Sequence, residues 1–164
     1  MRRFLLLSCV AIPLLAAYAV GEANAAGVGQ SEEAAANKAK GKAFLAENGA
    51  REGVETTSSG LQYEILEAGS GPKPSATDTV SVHYRGTLID GTQFDSSYER
   101  GPPATFPLNR VIAGWTEGLQ LMPVGSTWNL YLRSDLAYGE RGSPPTIGPG
   151  ATLIFEVKLL GIEE

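Results

Sequence analysis

The chain has 164 residues and a formal net charge of −5, with 13 basic and 18 acidic residues. This length suits one domain with an appendage, and an acidic chain whose basic runs never exceed two residues is not expected to bind nucleic acid or an anionic membrane surface. The single cysteine, Cys9, lies in a segment that we predict to be removed, so the mature chain would form no internal disulfide and hold no thiol nucleophile.

Residues 1–25 have the pattern of a secretory signal peptide. Two arginines precede an apolar run over residues 4–20, and Ala23 and Ala25 are the small residues that a signal peptidase requires before its cut. An uncleaved membrane anchor is the alternative, but a bilayer span takes about 20 apolar residues and this run is marginal. We therefore predict cleavage after Ala25 and a periplasmic protein that is free of the membrane, with secretion as the second choice.

Residues 26–53 are predicted to form a glycine-rich spacer, 26–30, followed by one helix from about Ser31 to Asn48. Ser31 is the expected N-cap, and Gly49 is expected to take the left-handed conformation that ends many helices. The apolar content of this helix is mostly alanine, which gives good helix propensity but little surface to bury. We expect the helix to project from the domain or to dock only through its last turn, as a linker or a dimer contact.

From Val54 onward the apolar residues alternate as they do in β-strands, so residues 54–164 are predicted to form one domain. The alternation is clear over residues 61–66, 80–88, 128–132 and 153–159. Asp90-Gly91 is a strong hairpin signal, and one short helix is predicted over residues 114–121. These elements indicate an α+β domain, with an antiparallel sheet of about five strands and the helix across its apolar face.

The segment DGTQFDSSYERG, residues 90–101, gathers three acidic residues that could act as metal ligands, as an acid/base pair or as turn chemistry. Asp90, Asp95 and Glu99 do not match a calcium loop, and Asp90 is explained by its turn. The only histidine, His83, falls on the polar face of its strand, where we expect a surface residue and not a base or a ligand. A hydrolase with paired carboxylates stays open from the residues alone.

Aromatic side chains near turns and glycine-rich loops are a second feature of the domain. They are Tyr84, Phe94, Phe106, Trp115, Tyr138 and Phe155. Such a set forms either a large core or an apolar pocket with tyrosine hydroxyls at its rim, and the residue types alone do not separate the two.

Four collinear segments resemble the FKBP-type peptidyl-prolyl cis-trans isomerases. They read VHYRGTLIDGTQFDSS, FPLNRVIAGWTEGLQLMPVGS, DLAYGERG and PGATLIFEVKLLGI, and the similarity continues from about Thr57 to Ile162. The resemblance implies a five- to six-stranded antiparallel sheet wrapped around one short helix and preceded by the alanine-rich helix. The preceding segment is similar to the exported Mip branch of this family, in which a long dimerisation region comes first. Because only residues 26–30 separate the predicted signal from the helix, we expect a monomer.

The resemblance also implies a pocket and its residues. Trp115 would form the floor, and Asp95 would be an acid at the rim that we expect to pair with Arg100. The backbone N–H of Ile112 and the hydroxyl of Tyr138 would hold carbonyl groups of the bound chain. The predicted catalytic residues are Asp95, Ile112, Trp115 and Tyr138. The predicted substrate-binding residues are Tyr84, Phe94, Phe106, Val111, Ile147 and Phe155.

The implied activity is isomerisation of Xaa–Pro bonds in unfolded, exported polypeptides, with no metal and no cofactor, and with inhibition by macrolides of the FK506 or rapamycin type. Three residues depart from the family pattern: Ala104, Ser143 and Thr146. We expect these departures to affect substrate preference and inhibitor affinity more than the activity itself. One alternative is a module that binds proline segments, or a chaperone, with little catalysis. Another is a dimeric clamp-like chaperone, which the short N-terminal segment disfavours.

Overall fold

The computed structural model describes residues 22–163, with side chains from residue 27 onward. Residues 1–21, most of the predicted signal peptide, lie outside the described residues, and its cleavage stays a prediction. Over the described range, no helix combines the length and the hydropathy that a bilayer span requires.

The first helix, α1 (Glu22–Gly49), is longer than predicted and differs at both ends. A spacer over residues 26–30 is wrong, because these residues are helical. Ser31 is not the N-cap, since its hydroxyl donates at 2.8 Å to a carbonyl three residues earlier in the helix. Gly49 remains helical, and the left-handed conformation occurs instead at Gly53, with φ of 85°. Alanine has the best helix propensity, and the many alanines carry the helix through its glycines.

Helix α1 also packs against the domain along much of its length, so the expectation that it projects or docks only through its last turn is wrong. Its buried residues, Ala34, Gly41, Leu45 and Asn48, fall on one face. The approach is very close, because a Cβ atom at Gly41 would lie 2.0 Å from Oγ1 of Thr152. Close contact of small residues therefore takes the place of an apolar stripe.

Seven strands follow α1 and form one antiparallel sheet. They are β1 (Val54–Thr56), β2 (Gln62–Glu67), β3 (Thr79–Leu88), β4 (Gln93–Ser96), β5 (Ala104–Pro107), β6 (Thr127–Leu132) and β7 (Leu153–Glu163). The order across the sheet is β1-β2-β6-β7-β3-β4, and β5 pairs with the other half of β3. The predicted α+β architecture is confirmed. The sheet exceeds the predicted five to six strands because β1 and β5, of 3 and 4 residues, are too short to show alternation.

The helices of the domain are α2 (Ser97–Arg100), α3 (Ala113–Leu121) and two 3-10 turns at Leu108–Arg110 and Ser134–Leu136. The helix predicted over 114–121 is confirmed as α3, which buries Trp115 and Leu119. A Cβ atom at Gly118 would lie 2.9 Å from Cδ1 of Leu130, so glycine lets α3 lie close to β6. This close packing fixes where Trp115 stands.

Strand β3 divides its side chains between two environments. Val80, Val82 and Tyr84 belong to the buried core. His83 points to the other face, where its ring stacks on Tyr98 with the centroids 4.7 Å apart. The alternation of β3 therefore brings Tyr84 to the side that faces α3 and keeps the histidine away from it.

Candidate active site

A cavity of ≈ 550 Å³ lies between α3, the sheet and the loop that follows the second 3-10 turn. This volume suits a small ligand or a short stretch of peptide. All ten residues predicted as catalytic or substrate-binding line this one cavity: Tyr84, Phe94, Asp95, Phe106, Val111, Ile112, Trp115, Tyr138, Ile147 and Phe155. The other lining residues are Arg110, Ser143, Pro144, Pro145 and Thr146. Arg110 and the two prolines carry no pattern in the sequence that would single them out.

Trp115 is the centre of an aromatic cluster on the floor and walls of the cavity. It is 4% exposed. Its ring meets Tyr84, Phe106 and Phe155 nearly at right angles, at centroid distances of 5.1, 5.5 and 5.3 Å. Edge-to-face contacts of this kind fix the orientation of the rings as well as burying them. The result is a rigid apolar surface.

Gly86 is a site residue that the sequence reasoning missed. It lies in β3 between two aromatic walls, and a Cβ atom there would come 2.5 Å from Cζ of Phe94 and 2.9 Å from Cε1 of Phe155. These two rings pack edge to face at 5.4 Å. A side chain at position 86 would push the walls apart, so the pocket needs glycine there.

Ile112 stands directly before α3, with its carbonyl accepting hydrogen bonds from the N–H groups of Trp115 and Thr116 at 2.9 and 3.1 Å. The first N–H groups of a helix have no partner inside it. The Thr116 hydroxyl also donates to the carbonyl of Leu108 at 2.6 Å, which ties the preceding 3-10 turn to the helix. Ile112, whose backbone N–H is predicted to bind a substrate carbonyl, thus lines the cavity at a fixed helix start.

Tyr84, Asp95 and Arg100 form a hydrogen-bonded group at the edge of the cavity, here called the Asp95 cluster. The Tyr84 hydroxyl and the Arg100 guanidinium both donate to the Asp95 carboxylate. The same guanidinium donates to the Tyr84 hydroxyl at 2.9 Å and lies over its ring, with Cζ 5.6 Å from the centroid. The predicted ion pair of Asp95 with Arg100 is confirmed.

The Asp95 cluster shifts the pKa values of its members. Partial burial raises the pKa of Asp95, but hydrogen bonds from Tyr84 and Arg100 outweigh it and hold that pKa below its ordinary value of 3.8. Burial, and then the hydrogen bond to Asp95, raise the pKa of Tyr84 above its ordinary value of 10.0. At neutral pH Asp95 is therefore a charged acceptor and Tyr84 a neutral phenol. Neither group is poised to exchange a proton with a ligand.

Residues 138–150, here called the pocket loop, form the remaining wall. Ile147 is buried, whereas Tyr138 is 41% exposed. Reciprocal backbone hydrogen bonds between Ser143 and Ile147, at 2.8 and 3.1 Å, close the tip of the loop. At its base the Gly150 N–H donates to the carbonyl of Gly139 at 2.9 Å.

The other acids of residues 90–101 are not gathered at the cavity. Asp90 accepts a hydrogen bond from the N–H of Thr92 at 2.9 Å, in the predicted turn between β3 and β4. Glu99 accepts one from the Gln93 amide at 2.7 Å on the surface. Only Asp95 lines the cavity. Among the described side chains there is no group of three acidic, histidine or cysteine residues that could hold a metal ion. A hydrolase built on these carboxylates is thus unsupported.

Sequence comparison with family models gives two matches. The model described as "FKBP-type peptidyl-prolyl cis-trans isomerase" matches residues 71–160. The model described as "Domain amino terminal to FKBP-type peptidyl-prolyl isomerase" matches residues 15–65. The first covers the sheet from the segment before β3 to most of β7, and with it every residue that lines the cavity.

Individual proteins agree with the family match. The chain is 58% identical over 133 residues to the FKBP-type isomerase FkpA of Aeromonas hydrophila, covering 81% of this chain and 49% of that protein. It is 53% identical to the outer membrane protein MIP of Legionella longbeachae, covering 82% of this chain and 58% of that protein. The chain therefore spans about half the length of these relatives.

The fold also matches a solved structure. The crystal structure of FkpA from Escherichia coli superposes with a TM-score of 0.83 at 45% sequence identity. The match covers 86% of this chain and 66% of that one.

Proposed function

The chain belongs to the family of FKBP-type peptidyl-prolyl cis-trans isomerases, and from this premise we propose that its aromatic cavity catalyses cis–trans isomerisation of Xaa–Pro bonds. The observation that carries the proposal is the apolar surface built by Trp115, Phe106 and Phe155, in a cavity whose lining also includes the polar residues Asp95 and Tyr138. Such a cavity can accept a proline ring and strip water from the amide beside it.

The reaction requires a twist about one bond and no bond cleavage. The barrier is about 18–20 kcal/mol, and an unaided Xaa–Pro bond takes tens to hundreds of seconds to rotate. The planar amide is stabilised by delocalisation of the nitrogen lone pair, which makes it more polar than the twisted form and better solvated by water. An apolar pocket therefore binds the twisted form more tightly, and each 1.4 kcal/mol of this preference gives about tenfold in rate.

Each group of lining residues would have a separate role in catalysis. Trp115 and the phenylalanine walls would hold the proline ring. The N–H of Ile112 and the hydroxyl of Tyr138 would orient the flanking carbonyl groups as donors. Asp95, fixed as a carboxylate by Arg100, would set the polarity of the cavity edge and keep the Tyr84 ring in place. No residue has to act as a nucleophile or to release a proton.

The substrates, location and assembly belong to the same proposal. The substrates would be unfolded, proline-containing polypeptides that have been exported to the periplasm, and macrolides of the FK506 and rapamycin type would compete for the cavity. The domain would comprise residues 54–164, with residues 1–25 removed. Light scattering on the mature chain tests the predicted monomer, and a mass of two chains would contradict it.

A protease-coupled assay with a proline peptide tests the activity. The cis-to-trans rate should rise in proportion to the protein concentration and return to the uncatalysed rate when rapamycin is added. An uncatalysed rate at micromolar protein would overturn the proposal. If the peptide still bound under those conditions, the chain would be a module that holds proline segments.

A further inference from the structure

The pocket loop faces two parts of the molecule at once. Its inner side lines the cavity through Tyr138, residues 143–146 and Ile147. On its outer side Pro149 and Gly150 are buried against α1. A change in how the loop meets α1 would therefore reach the cavity directly.

The hydrogen bonds within the loop set its shape but not its tilt. The Ser143–Ile147 pair closes the tip, and the Gly150–Gly139 bond closes the base. The Gly139 N–H also donates to the carbonyl of Ser134 at 2.7 Å, where the loop begins. These bonds join parts of the loop to one another and to its own start, so they leave open how far the loop leans towards α3.

Polar contacts from one turn of α1 reach the outer side of the loop. The side-chain amide of Asn37 donates to the carbonyl of Pro149 at 2.9 Å, in a partly buried position. Lys38, the next residue along, forms an ion pair with Glu140. The two contacts fall near opposite ends of the loop sequence, so together they restrain it as a unit.

Backbone contact reinforces this attachment. Ala34 is 3% exposed and lies beneath Gly150, where a Cβ atom would come 2.5 Å from the Ala34 carbonyl oxygen. At Gly148 a Cβ atom would come 3.2 Å from Oε1 of Glu33 and 3.3 Å from Nδ2 of Asn37. The loop is thus seated closely on α1, with no room for a side chain at Gly150 and a tight fit at Gly148.

We propose that α1 is a positioning element of the active site, and that Asn37 is its principal positioning residue. By holding the carbonyl of Pro149, Asn37 keeps the pocket loop, with Tyr138 and Ile147, in the arrangement that receives the proline segment. Asn37 does not line the cavity, so it acts through the loop and is not a catalytic residue. This inference rests on the proposed isomerase function.

The physical effect is preorganisation. A loop that samples several tilts binds substrate only in the competent one, and its apparent affinity falls by the fraction of time spent elsewhere. Once substrate is bound the loop is in place, so turnover at saturation changes little. Loss of the Asn37 contact should therefore raise KM by roughly fivefold, the effect of one hydrogen bond of ordinary strength. The value of kcat should stay nearly unchanged.

The test compares Asn37→Ala with Asn48→Ala in the mature chain. Asn48 lies on the same helix and donates to Oε1 of Gln62 at 2.8 Å, away from the loop. We expect Asn37→Ala to raise KM about fivefold and to speed hydrogen exchange of the Ile147 and Gly150 amides. Asn48→Ala should lower the melting temperature at least as much, while KM and loop exchange stay at the parent values.

A charge swap supplies a rescue. Glu140→Lys places two lysines together and should raise KM, and adding Lys38→Glu should bring KM and loop exchange back towards the parent values. The inference is overturned if Asn37→Ala leaves both KM and loop exchange unchanged, or if Asn48→Ala changes them equally. If the parent chain had no isomerase activity, the proposed function would fail, but loop exchange in the same variants would still decide whether α1 holds the loop.

Discussion

The Asp95 cluster and the pocket loop both border the cavity, yet they are held in place by different means. In the cluster, Asp95 lies opposite Gly86 in the pairing of β3 with β4, and Arg100 follows within α2. The sheet register therefore brings Tyr84 and Asp95 together, and the short helix α2 brings Arg100 to the same point. The pocket loop lacks such a ladder and leans on a helix whose contact residue, Asn37, is 112 positions away in sequence from Pro149. One wall of the site is thus local to the sheet, and the other depends on a distant segment.

This difference predicts which substitutions affect only one wall of the cavity. A change in the cluster should alter the charge at the cavity edge without moving the loop. A change on the loop side should alter how substrate is received without changing the cluster. A change in the shared floor should damage both.

The largest effect is expected from Trp115→Ala. The substitution removes the floor that Tyr84, Phe106 and Phe155 contact, so kcat/KM should fall by roughly a hundredfold or more, and the free energy of unfolding should fall by about 3–5 kcal/mol. Peptide assays and urea unfolding measure the two quantities. Trp115→Phe should recover part of each, and activity near the parent level in Trp115→Ala would show that catalysis occurs elsewhere.

The next effect is expected from Asp95→Asn. This change keeps the shape of the side chain but removes the charge that Arg100 and Tyr84 donate to, so kcat/KM should fall about tenfold. Hydrogen exchange in the pocket loop should stay as it is in the parent. If turnover and rapamycin binding were both unaffected, the role assigned to Asp95 would be wrong.

Tyr138→Phe should have a smaller effect, confined to the loop side. The hydroxyl of Tyr138 would supply one neutral hydrogen bond to the bound chain, so kcat/KM should fall about three- to fivefold. The side chain is 41% exposed, and the melting temperature should therefore move by no more than about 1 °C. A large loss of stability would mean that Tyr138 supports the fold of the loop instead.

The smallest effect concerns pH. Because the folded-state pKa of Asp95 lies below its ordinary value of 3.8, the cluster adds stability above that pH and loses it as the pH falls through the folded-state pKa. The melting temperature of the parent should exceed that of Asp95→Asn by about 2 °C at neutral pH, and the gap should close in strong acid. A gap that widened on acidification would contradict the direction of the shift.

Much of the cluster side could be predicted from the sequence, because its residues follow simple periodicities. Alternation identified β3 and β7 and hence the inward direction of Tyr84 and Phe155. The short apolar helix placed Trp115, and Asp90-Gly91 placed the hairpin that brings Asp95 back beside β3. Local patterns thus predicted the strands, the helix and the hairpin that carry these residues, whereas their roles in a pocket came from the resemblance to the family.

The loop side and α1 could not be predicted in the same way. The docking face of α1 is made of Ala34, Asn37, Gly41, Leu45 and Asn48, and because Leu45 is its only large apolar residue, the face gives no apolar periodicity. This face packs closely because Gly150 lies against the backbone of Ala34 and Thr152 lies against Gly41, which has no side chain. Such close contacts are visible only in the folded chain. Gly86 could not be predicted for the same reason, because its role is to leave space between the rings of Phe94 and Phe155.

The central claim is that the cavity itself accelerates rotation about the Xaa–Pro bond. Exchange NMR on a proline peptide with a catalytic amount of the mature chain tests it without a coupling protease. Cross-peaks between the cis and trans forms should appear at mixing times below about a second, whereas uncatalysed rotation takes tens to hundreds of seconds. They should disappear on addition of rapamycin and in Trp115→Ala. Absence of cross-peaks in the parent, with peptide resonances that shift on binding, would contradict the claim.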